Sequence, residues 1–236
     1  EDCMPLNLYF ATSEVAPFCG AYSLSTFSRR ITTIYNEDPD LNIRVVHPKY
    51  GFISERKYIL REVIRLKDLP IEFDGKENII NLKSAFIPES RVQVYFLQYN
   101  EYFKPLPELL YKARNGRVYK DNDEKFSFFS KVALSALKDL FWAPDIVLCN
   151  DWQTAMIPGL LNNKFKQDEF YQEMKTVFLL HSWNDTNRYY SKDIFAKLNM
   201  EPPTNDNVQD MLKIAMDNSD SIIIIDNEKE KVHEKA

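Results

Sequence analysis

Six short apolar runs, separated by segments of helical character, constrain the fold of this chain more than any other feature of its sequence. Each run is nearly continuous in apolar residues, which is typical of strands buried on both faces of a parallel sheet. Because helix-like segments and polar loops lie between most of the runs, the pattern predicts an α/β fold with a doubly wound, mostly parallel, Rossmann-like sheet. The runs occupy residues 6–11, 42–47, 92–97, 145–149, 176–180 and 222–225.

The predicted helices follow from periodic apolar positions and from the residues that flank them. The first helix is expected to begin near Ser23, Ser25 or Thr26, whose hydroxyl groups are candidate N-caps, and to end near Tyr35. The other helices are predicted over residues 124–142, 155–165, 205–217 and 227–236, and the last of these is a charged, solvated one.

The stretch after the second run has a different pattern. Asp74 and Gly75 lie between two alternating apolar runs, which is a hairpin signal. We therefore expect an antiparallel insertion over about residues 52–90, with strand-like runs at residues 58–66 and 79–86. Residues 99–122 lack periodicity and are expected to form a long ordered loop with a helical turn near residues 107–112. Since no Gly/Ser-rich linker appears, residues 1–236 are expected to form a single domain.

Charge and cysteine content narrow the classes of function. Thirty basic residues against 35 acidic ones give a net charge of −5, which disfavours nucleic acid as a partner. A neutral sugar chain is compatible with this net charge. No apolar run approaches the roughly 20 residues of a membrane span, so no membrane partner is expected. Cys3, Cys19 and Cys149 show neither metal-ligand nor disulfide spacing, which favours a reducing, cytoplasmic location. With five glycines and no phosphate-binding fingerprint, no cofactor is expected, and because no clustered His/Cys ligand spacing appears, no metal is expected.

Polar loops follow three of the predicted parallel strands, at residues 12–23, 150–154 and 181–187. The carboxyl ends of parallel strands share one edge of the sheet, so these loops are expected to line a common cleft. Their side chains suit sugars, because aromatic faces stack on sugar rings and carboxamides or carboxylates bond hydroxyl groups. The aromatic residues are Tyr22, Trp152 and Trp183, and the polar ones are Asp151, Gln153, Asn184 and Asp185.

Each candidate also has a structural alternative, and the sequence leaves the alternatives open. Asp151 either contacts a ligand or caps the helix that follows it. Trp152 is either a stacking platform or a core residue. His181 follows an apolar run and is either a cleft residue or a structural one, and Glu14 is a candidate acid or base without an obvious second carboxylate.

Six motifs, taken in order, resemble those of bacterial glycogen synthases and plant starch synthases, the retaining glycosyltransferases that extend α-1,4-glucan from ADP-glucose. Each motif alone is weak, and together they cover nearly the whole chain. They are SEVAPF at residues 13–18, VVHPKYG at residues 45–51, VYF at residues 94–96 with Tyr102 and Phe103, YKDN at residues 119–122 with FSFFS at residues 126–130, NDWQT at residues 150–154, and KTVF at residues 175–178 with His181.

The resemblance implies a fold of two Rossmann-like domains with the active site between them. This chain is similar to the N-terminal domain, which in the family holds the glucan acceptor and one wall of the donor site, whereas the second domain carries most of the nucleotide-sugar site. By resemblance His181 is a catalytic candidate. The substrate-binding candidates are Glu14, Asp121, Asn122, Asp151, Trp152, Gln153 and Trp183.

The loop after the first strand departs from the family pattern. Where the family has K-x-G-G-L, this chain has Gly20, Ala21, Tyr22, Ser23 and Leu24, and Thr26 replaces an acidic residue. The lysine that would meet a phosphate and the two glycines that would admit the diphosphate are thus absent. Residues 182–187 and Lys125, which stands in place of an arginine, also differ from the family.

These departures predict a glycogen/starch synthase-like domain that cannot transfer glucose alone and that retains at most the binding of an α-glucan acceptor or of a partner synthase chain. Two alternatives remain. One is half of an active glycogen synthase whose C-terminal domain is absent. The other is an interaction domain on the same scaffold that binds no carbohydrate.

Overall fold

The computed structural model describes residues 4–183, 185–226 and 231–236. Its strands are β1 (Leu6–Ala11), β2 (Leu41–Pro48), β3 (Arg61–Glu62), β4 (Leu69–Phe73), β5 (Lys76–Phe86), β6 (Gln93–Gln98), β7 (Ile146–Asn150), β8 (Lys175–Leu180), β9 (Tyr189–Ser191), β10 (Val208–Asp210) and β11 (Ser221–Ile224). Its α-helices are α1 (Ser23–Glu37), α2 (Glu55–Tyr58), α3 (Asn100–Phe103), α4 (Asn122–Asp139), α5 (Met156–Asn163), α6 (Asp193–Lys197) and α7 (Met211–Asn218).

A nine-stranded sheet forms the centre of the described chain, in the order β11-β8-β7-β1-β2-β6-β5-β3, with β4 paired to β5. The strands from β11 to β6 run parallel, whereas β5 is antiparallel to β6 and both β3 and β4 are antiparallel to β5. The predicted α/β fold with a mostly parallel sheet and an antiparallel insertion is confirmed.

The central strands are apolar because helices and loops cover both of their faces. Tyr9 and Phe10 of β1 are fully buried, and the Tyr9 hydroxyl donates to the carbonyl of Ala133 in α4 at 3.0 Å. Helix α4 packs on the inserted hairpin as well as on β1, and Phe128 meets Phe73 of β4 edge to face at 5.2 Å. Helix α4 is therefore buried on most sides, which explains its weak amphipathic pattern.

The inserted hairpin forms where the Asp74-Gly75 signal predicts it. Both residues have positive φ, as the tight hairpin turn between β4 and β5 requires. The expected strand over residues 58–66 is wrong for most of its length. Only Arg61–Glu62 pairs as a strand, because a helical turn capped by Ser54 extends to Tyr58 and a 3₁₀ helix forms over Ile64–Leu66.

The hydroxyl caps predicted for the first helix are also wrong. Helix α1 begins at Ser23 as expected, but Tyr22 is its N-cap and no side chain caps it. Instead the Ser25 hydroxyl donates to the Tyr22 carbonyl at 2.8 Å, and Thr26 is exposed to solvent.

Three other local predictions differ from the structure. Residues 107–112 form turns, and the helical turn lies earlier, at α3. The helix expected over residues 205–217 begins only at Met211, because residues 208–210 pair with β9 and Asp210 then caps α7 by accepting from the N–H of Lys213. Of the helix predicted over residues 227–236, residues 227–230 lie outside the described chain, and Val232–Glu234 form a 3₁₀ helix. No helix in the described ranges is long and apolar enough to cross a membrane.

Candidate functional site

The candidate site lies at the carboxyl edge of the sheet beside β1. From β1 the chain builds β2 and β6 on one side and then β7, β8 and β11 on the other. A reversal of this kind leaves a crevice between the loops that follow the central strands. The three predicted loops meet there, since Asn150 donates to the Thr12 hydroxyl at 3.1 Å and the N–H of His181 donates to Asp151 at 3.1 Å.

Glu14 is the buried acid of the loop after β1, with 1% of its surface exposed. Its Oε1 accepts from the Tyr111 hydroxyl at 2.6 Å, and its Oε2 accepts from the N–H of Tyr22 at 3.1 Å. Burial raises the pKa of Glu14 to about 7, although both hydrogen bonds act to lower it. The carboxyl group therefore joins the start of α1 to the loop that carries Tyr111, and its charge changes near neutral pH.

Tyr22 covers this acid from the solvent side. Its ring stacks on that of Tyr111, with centroids 5.5 Å apart and planes inclined by 18°. The Tyr22 hydroxyl donates to the carbonyl of Leu109 at 3.1 Å, and the ammonium group of Lys112 lies 5.9 Å from the ring centroid. The side chain at the first position where the family has glycine is thus fixed by contacts at its backbone, ring and hydroxyl.

Asp151 follows β7 in a strained backbone conformation, with φ 66° and ψ −172°. It is 2% exposed, and its carboxylate accepts from the N–H groups of His181 and Ser182 and, at 2.7 Å, from the Ser182 hydroxyl. Burial raises its pKa to about 6, against the lowering effect of the Ser182 hydroxyl. The side chain does not cap the helical turn that follows it, so the capping alternative is wrong, and the carboxylate holds the loop after β8 instead.

His181 is tied to the first strand through an amide. Its Nε2 lies 2.8 Å from Oδ1 of Asn150, whose Nδ2 donates to the hydroxyls of Thr12 and Ser28. Since Oδ1 accepts, Nε2 carries the ring proton and Nδ1 is left as an acceptor. Burial lowers the pKa of His181 to about 4, so the ring is neutral at pH 7. A neutral, oriented imidazole can accept a hydrogen bond from a substrate hydroxyl.

Trp152 and Gln153 lie inside the protein rather than along the crevice. Trp152 is 5% exposed and packs edge to face on Tyr111 at 5.0 Å and on Phe126 at 5.3 Å. Gln153 is 2% exposed, and its Oε1 has no hydrogen-bond partner within the described ranges. In this arrangement Trp152 takes the packing alternative, and its faces are not free for a sugar ring.

Asn122 and Asp121 lie at the start of α4. Asn122 is buried and donates to the Tyr111 carbonyl at 2.9 Å and to Oδ1 of Asn187 at 3.1 Å, while its own Oδ1 is buried without a partner among the described residues. Asp121 is exposed and forms an ion pair with Lys125 at 2.8 Å. Asn122 borders a pocket of about 250 Å³, whose lining is Val118, Tyr119, Lys120, Asn122, Asp123, Thr186, Asn187, Tyr189 and Tyr190. We call this the tyrosine pocket.

The loop after β8 carries the remaining aromatic candidate. Trp183 is half-buried, and the guanidinium group of Arg188 lies 4.1 Å from the centroid of its ring. Arg188 is itself held by Asp210, so one face of the indole is covered. Asp185 is exposed, and Asn184 lies outside the described residues.

A second pocket, of about 410 Å³, borders the altered loop. It is lined by Pro17, Phe18, Cys19, Gly20, Ala21, Phe52, Ser54, Lys57, Tyr58, Glu108 and Leu109. At Gly20 no atom lies within 4 Å of the place that a Cβ would take, so this position has room for a side chain. Ser23 and Thr26 are exposed at the start of α1.

The sequence did not single out Tyr111 or Ser182, although both hold the site together. Tyr111 contacts Glu14, Tyr22 and Trp152, and Ser182 bonds Asp151 through both its N–H and its hydroxyl. Tyr111 lies in the segment without periodicity, where the abundance of tyrosine was the available signal. Nothing local distinguishes Ser182.

Asp151 gives the first testable prediction. Asp151→Ala should lower the free energy of unfolding by about 2–3 kcal/mol, because two N–H groups and a hydroxyl lose their buried acceptor. Asp151→Asn should cost less than about 1 kcal/mol, since its carbonyl oxygen keeps the two N–H groups and asparagine tolerates positive φ. Urea unfolding measures both variants. Equal losses in the two would show that these hydrogen bonds do not stabilise the loop.

Comparison with known proteins supplies the family context. The model of the family described as the starch synthase catalytic domain matches residues 7–229. The chain is 35% identical over 176 residues to a glycogen synthase of Pelodictyon phaeoclathratiforme and 36% identical over 179 residues to one of Chlorobium chlorochromatii. Each alignment covers 75% of this chain and 36% of the relative, so the chain spans about a third of the length of these relatives.

One solved structure shows the same fold. The catalytic domain of starch synthase IV from Arabidopsis thaliana, bound to ADP and acarbose, superimposes with a TM-score of 0.77 at 19% identity. The superposition covers 93% of this chain and 44% of that one.

Proposed function

This chain belongs to the family of starch synthase catalytic domains, and from that premise we propose that it binds an α-glucan but does not transfer glucose from ADP-glucose by itself. It is a glycogen/starch synthase-like domain. The single observation that carries the proposal is the placement of Tyr22 in the loop after β1.

The side chain of Tyr22 disfavours the binding of the ADP-glucose donor at this loop. By resemblance a glycine at this position lets the diphosphate approach the backbone. Here the ring covers Tyr111, and its hydroxyl is bonded to the Leu109 carbonyl, so ligand entry would require both contacts to break. The backbone N–H of Tyr22 is likewise already bonded to the carboxyl group of Glu14.

The loss of a positive charge at position 20 also disfavours the binding of the diphosphate. Gly20 occupies the position of the family lysine, and it supplies no ammonium group for a phosphate. Losing a charged partner of a buried phosphate costs about 2–5 kcal/mol.

The acceptor side of the crevice supports retained glucan binding. His181 presents a neutral imidazole, Trp183 is half-buried, and Asn122 borders the tyrosine pocket. Aromatic rings and neutral polar groups of this kind bind sugar rings and hydroxyl groups without charge. None of these three residues lies among the altered positions 20–26, although Trp183 belongs to residues 182–187, which also differ from the family.

Incubation of the protein with ADP-glucose and glycogen tests the catalytic half of the proposal. We expect no incorporation of glucose into glycogen above that of a heat-denatured sample. A Gly20→Lys, Tyr22→Gly, Ser23→Gly variant should bind ADP at least about tenfold more tightly than the unaltered chain, as one restored lysine–phosphate pair implies. Clear turnover by the unaltered chain would contradict the proposal.

Calorimetry with maltoheptaose tests the binding half. We expect binding at millimolar concentration, and Trp183→Ala should weaken it by about fivefold or more because the half-buried indole ring is lost from the crevice. Phe86→Ala is the matched control, since Phe86 is an exposed aromatic residue that pairs with Gln93 at the start of β6, on the opposite edge of the sheet. Absence of binding at millimolar maltoheptaose would favour an interaction domain that binds no carbohydrate.

A further inference from the structure

An exposed basic hairpin stands beside the tyrosine pocket, in a protein whose net charge is negative. Residues 111–120 fold back on themselves: the N–H of Tyr119 donates to the Tyr111 carbonyl at 3.1 Å, and Lys112 bridges to Val118. The N–H of Ala113 donates to the Arg117 carbonyl at 2.9 Å, and Gly116 turns the chain with φ 84°. We call this segment the basic hairpin.

Four cations and no acid lie within the basic hairpin, namely Lys112, Arg114, Arg117 and Lys120. Arg114, Arg117 and Lys120 are exposed, and none of the four forms an ion pair with any residue of the described ranges. The nearest acids in sequence are Glu108, Asp121 and Asp123. Asp121 is already paired with Lys125, and Oδ2 of Asp123 accepts from the N–H of Ser191 at 3.2 Å. Because the whole chain carries a charge of −5, this local excess is not part of a generally basic surface.

The hairpin contacts the candidate site at both of its ends. Tyr111 at its base is buried, and its hydroxyl donates to Glu14 at 2.6 Å. Lys112 lies over the ring of Tyr22. At the other end, Val118, Tyr119 and Lys120 form one wall of the tyrosine pocket. A ligand in that pocket therefore contacts Lys120, and Arg114 and Arg117 stand at the turn of the same hairpin.

From this juxtaposition we propose that the α-glucan bound by this domain carries phosphate monoesters, which the basic hairpin binds while the tyrosine pocket holds a neighbouring sugar ring. The inference rests on the proposed binding of α-glucan. An arginine guanidinium group can bind two oxygens of one phosphate, whereas an unmodified glucan has only neutral hydroxyl groups and offers no negative charge to four uncompensated cations. An acidic peptide would match the hairpin but not the adjoining pocket, which is lined by tyrosine and amide side chains and by the carboxyl group of Asp123.

The test compares two ligands that differ by one group: maltoheptaose, and maltoheptaose with a single phosphate monoester on a glucose O6. We expect the phosphorylated ligand to bind about tenfold more tightly at 50 mM salt, and the advantage to shrink at 200 mM salt because exposed charges are screened. Arg114→Gln with Arg117→Gln should remove most of the advantage and leave the affinity for neutral maltoheptaose unchanged.

Arg30→Gln with Arg91→Gln is the matched control, because it removes the same charge at two exposed positions outside the hairpin, and it should keep the advantage. Equal affinity for the two maltoheptaoses would overturn the inference and leave glucan binding intact. Binding of neither ligand would overturn glucan binding and the inference together. If inorganic phosphate or an acidic peptide bound as tightly as the phosphorylated glucan, the hairpin would be a general anion site, and the inference would also be overturned.

Discussion

Gly51→Ala should lower the free energy of unfolding by about 2–4 kcal/mol, one of the largest effects expected of a single methyl group in this protein. A Cβ at Gly51 would lie 2.3 Å from the carbonyl oxygen of Lys104 and 3.1 Å from its carbonyl carbon. Both are backbone atoms, and the N–H of Gly51 is bonded to the adjacent carbonyl of Phe103. No flexible side chain can move to relieve the overlap, so the backbone at the start of the loop must shift.

Urea unfolding at neutral pH measures this effect. Gly20→Ala is the control, because its added Cβ meets no atom within 4 Å and should change stability by less than about 0.5 kcal/mol. Because the segment that begins at Lys104 leads to Tyr111, Gly51→Ala should also disturb the contact between Tyr111 and Glu14. A stability of Gly51→Ala equal to that of Gly20→Ala would show that the close approach to Lys104 does not constrain the fold.

His47→Leu should stabilise the protein, and the gain should grow as the pH falls. His47 is the penultimate residue of β2 and is fully buried between the rings of Tyr50 and Phe96, at centroid distances of 5.4 and 5.6 Å. Neither ring nitrogen has a hydrogen-bond partner in the described chain. Leaving such groups buried and unpaired costs about 1–3 kcal/mol, so a leucine of similar volume should raise stability at pH 7 by about 1 kcal/mol or more.

The dependence on pH follows from the same burial, which lowers the pKa of His47 to about 3. Below the usual histidine pKa of about 6.5, His47 takes up a proton in the unfolded chain but not in the folded one. Stability is therefore complete above that pH and is lost as the pH falls toward the folded value. With about 1.4 kcal/mol for each unit of pH, the loss reaches about 2 kcal/mol at pH 5.

Other buried groups titrate in the same pH range. Their contributions cancel when the stability of His47→Leu is compared with that of the unaltered chain. His181, with a pKa lowered to about 4, acts in the same direction as His47. Glu14 and Asp151, with pKa values raised to about 7 and about 6, act in the opposite direction, because their folded forms hold protons that the unfolded chain has released. All three remain in His47→Leu. If the difference in stability between His47→Leu and the unaltered chain were the same at pH 7 and pH 5, the burial of a neutral His47 would not govern acid stability.

Much of the sheet was predictable from sequence because it depends on local pattern. The runs that became β1, β7 and β8 are apolar enough to be recognised alone, and Asp74-Gly75 specifies its own turn. The errors lie where a distant contact overrides local preference. The sequence predicts a helix over residues 208–210, but these residues pair with β9 instead. Residues 107–112 follow contacts with Tyr22 and Glu14 rather than helical spacing.

The candidate site divides in the same way. The sequence by itself determined the family, the carboxyl-edge loops and the loss of the lysine and glycines at positions 20–23, because these depend only on residue identity and order. Only the tertiary structure decided that Tyr22 stacks on Tyr111, that Trp152 packs inside, and that Asp151 holds the loop after β8. It also set the basic hairpin beside the tyrosine pocket. Those outcomes depend on contacts between segments far apart in the chain, and such contacts leave no local periodicity to read.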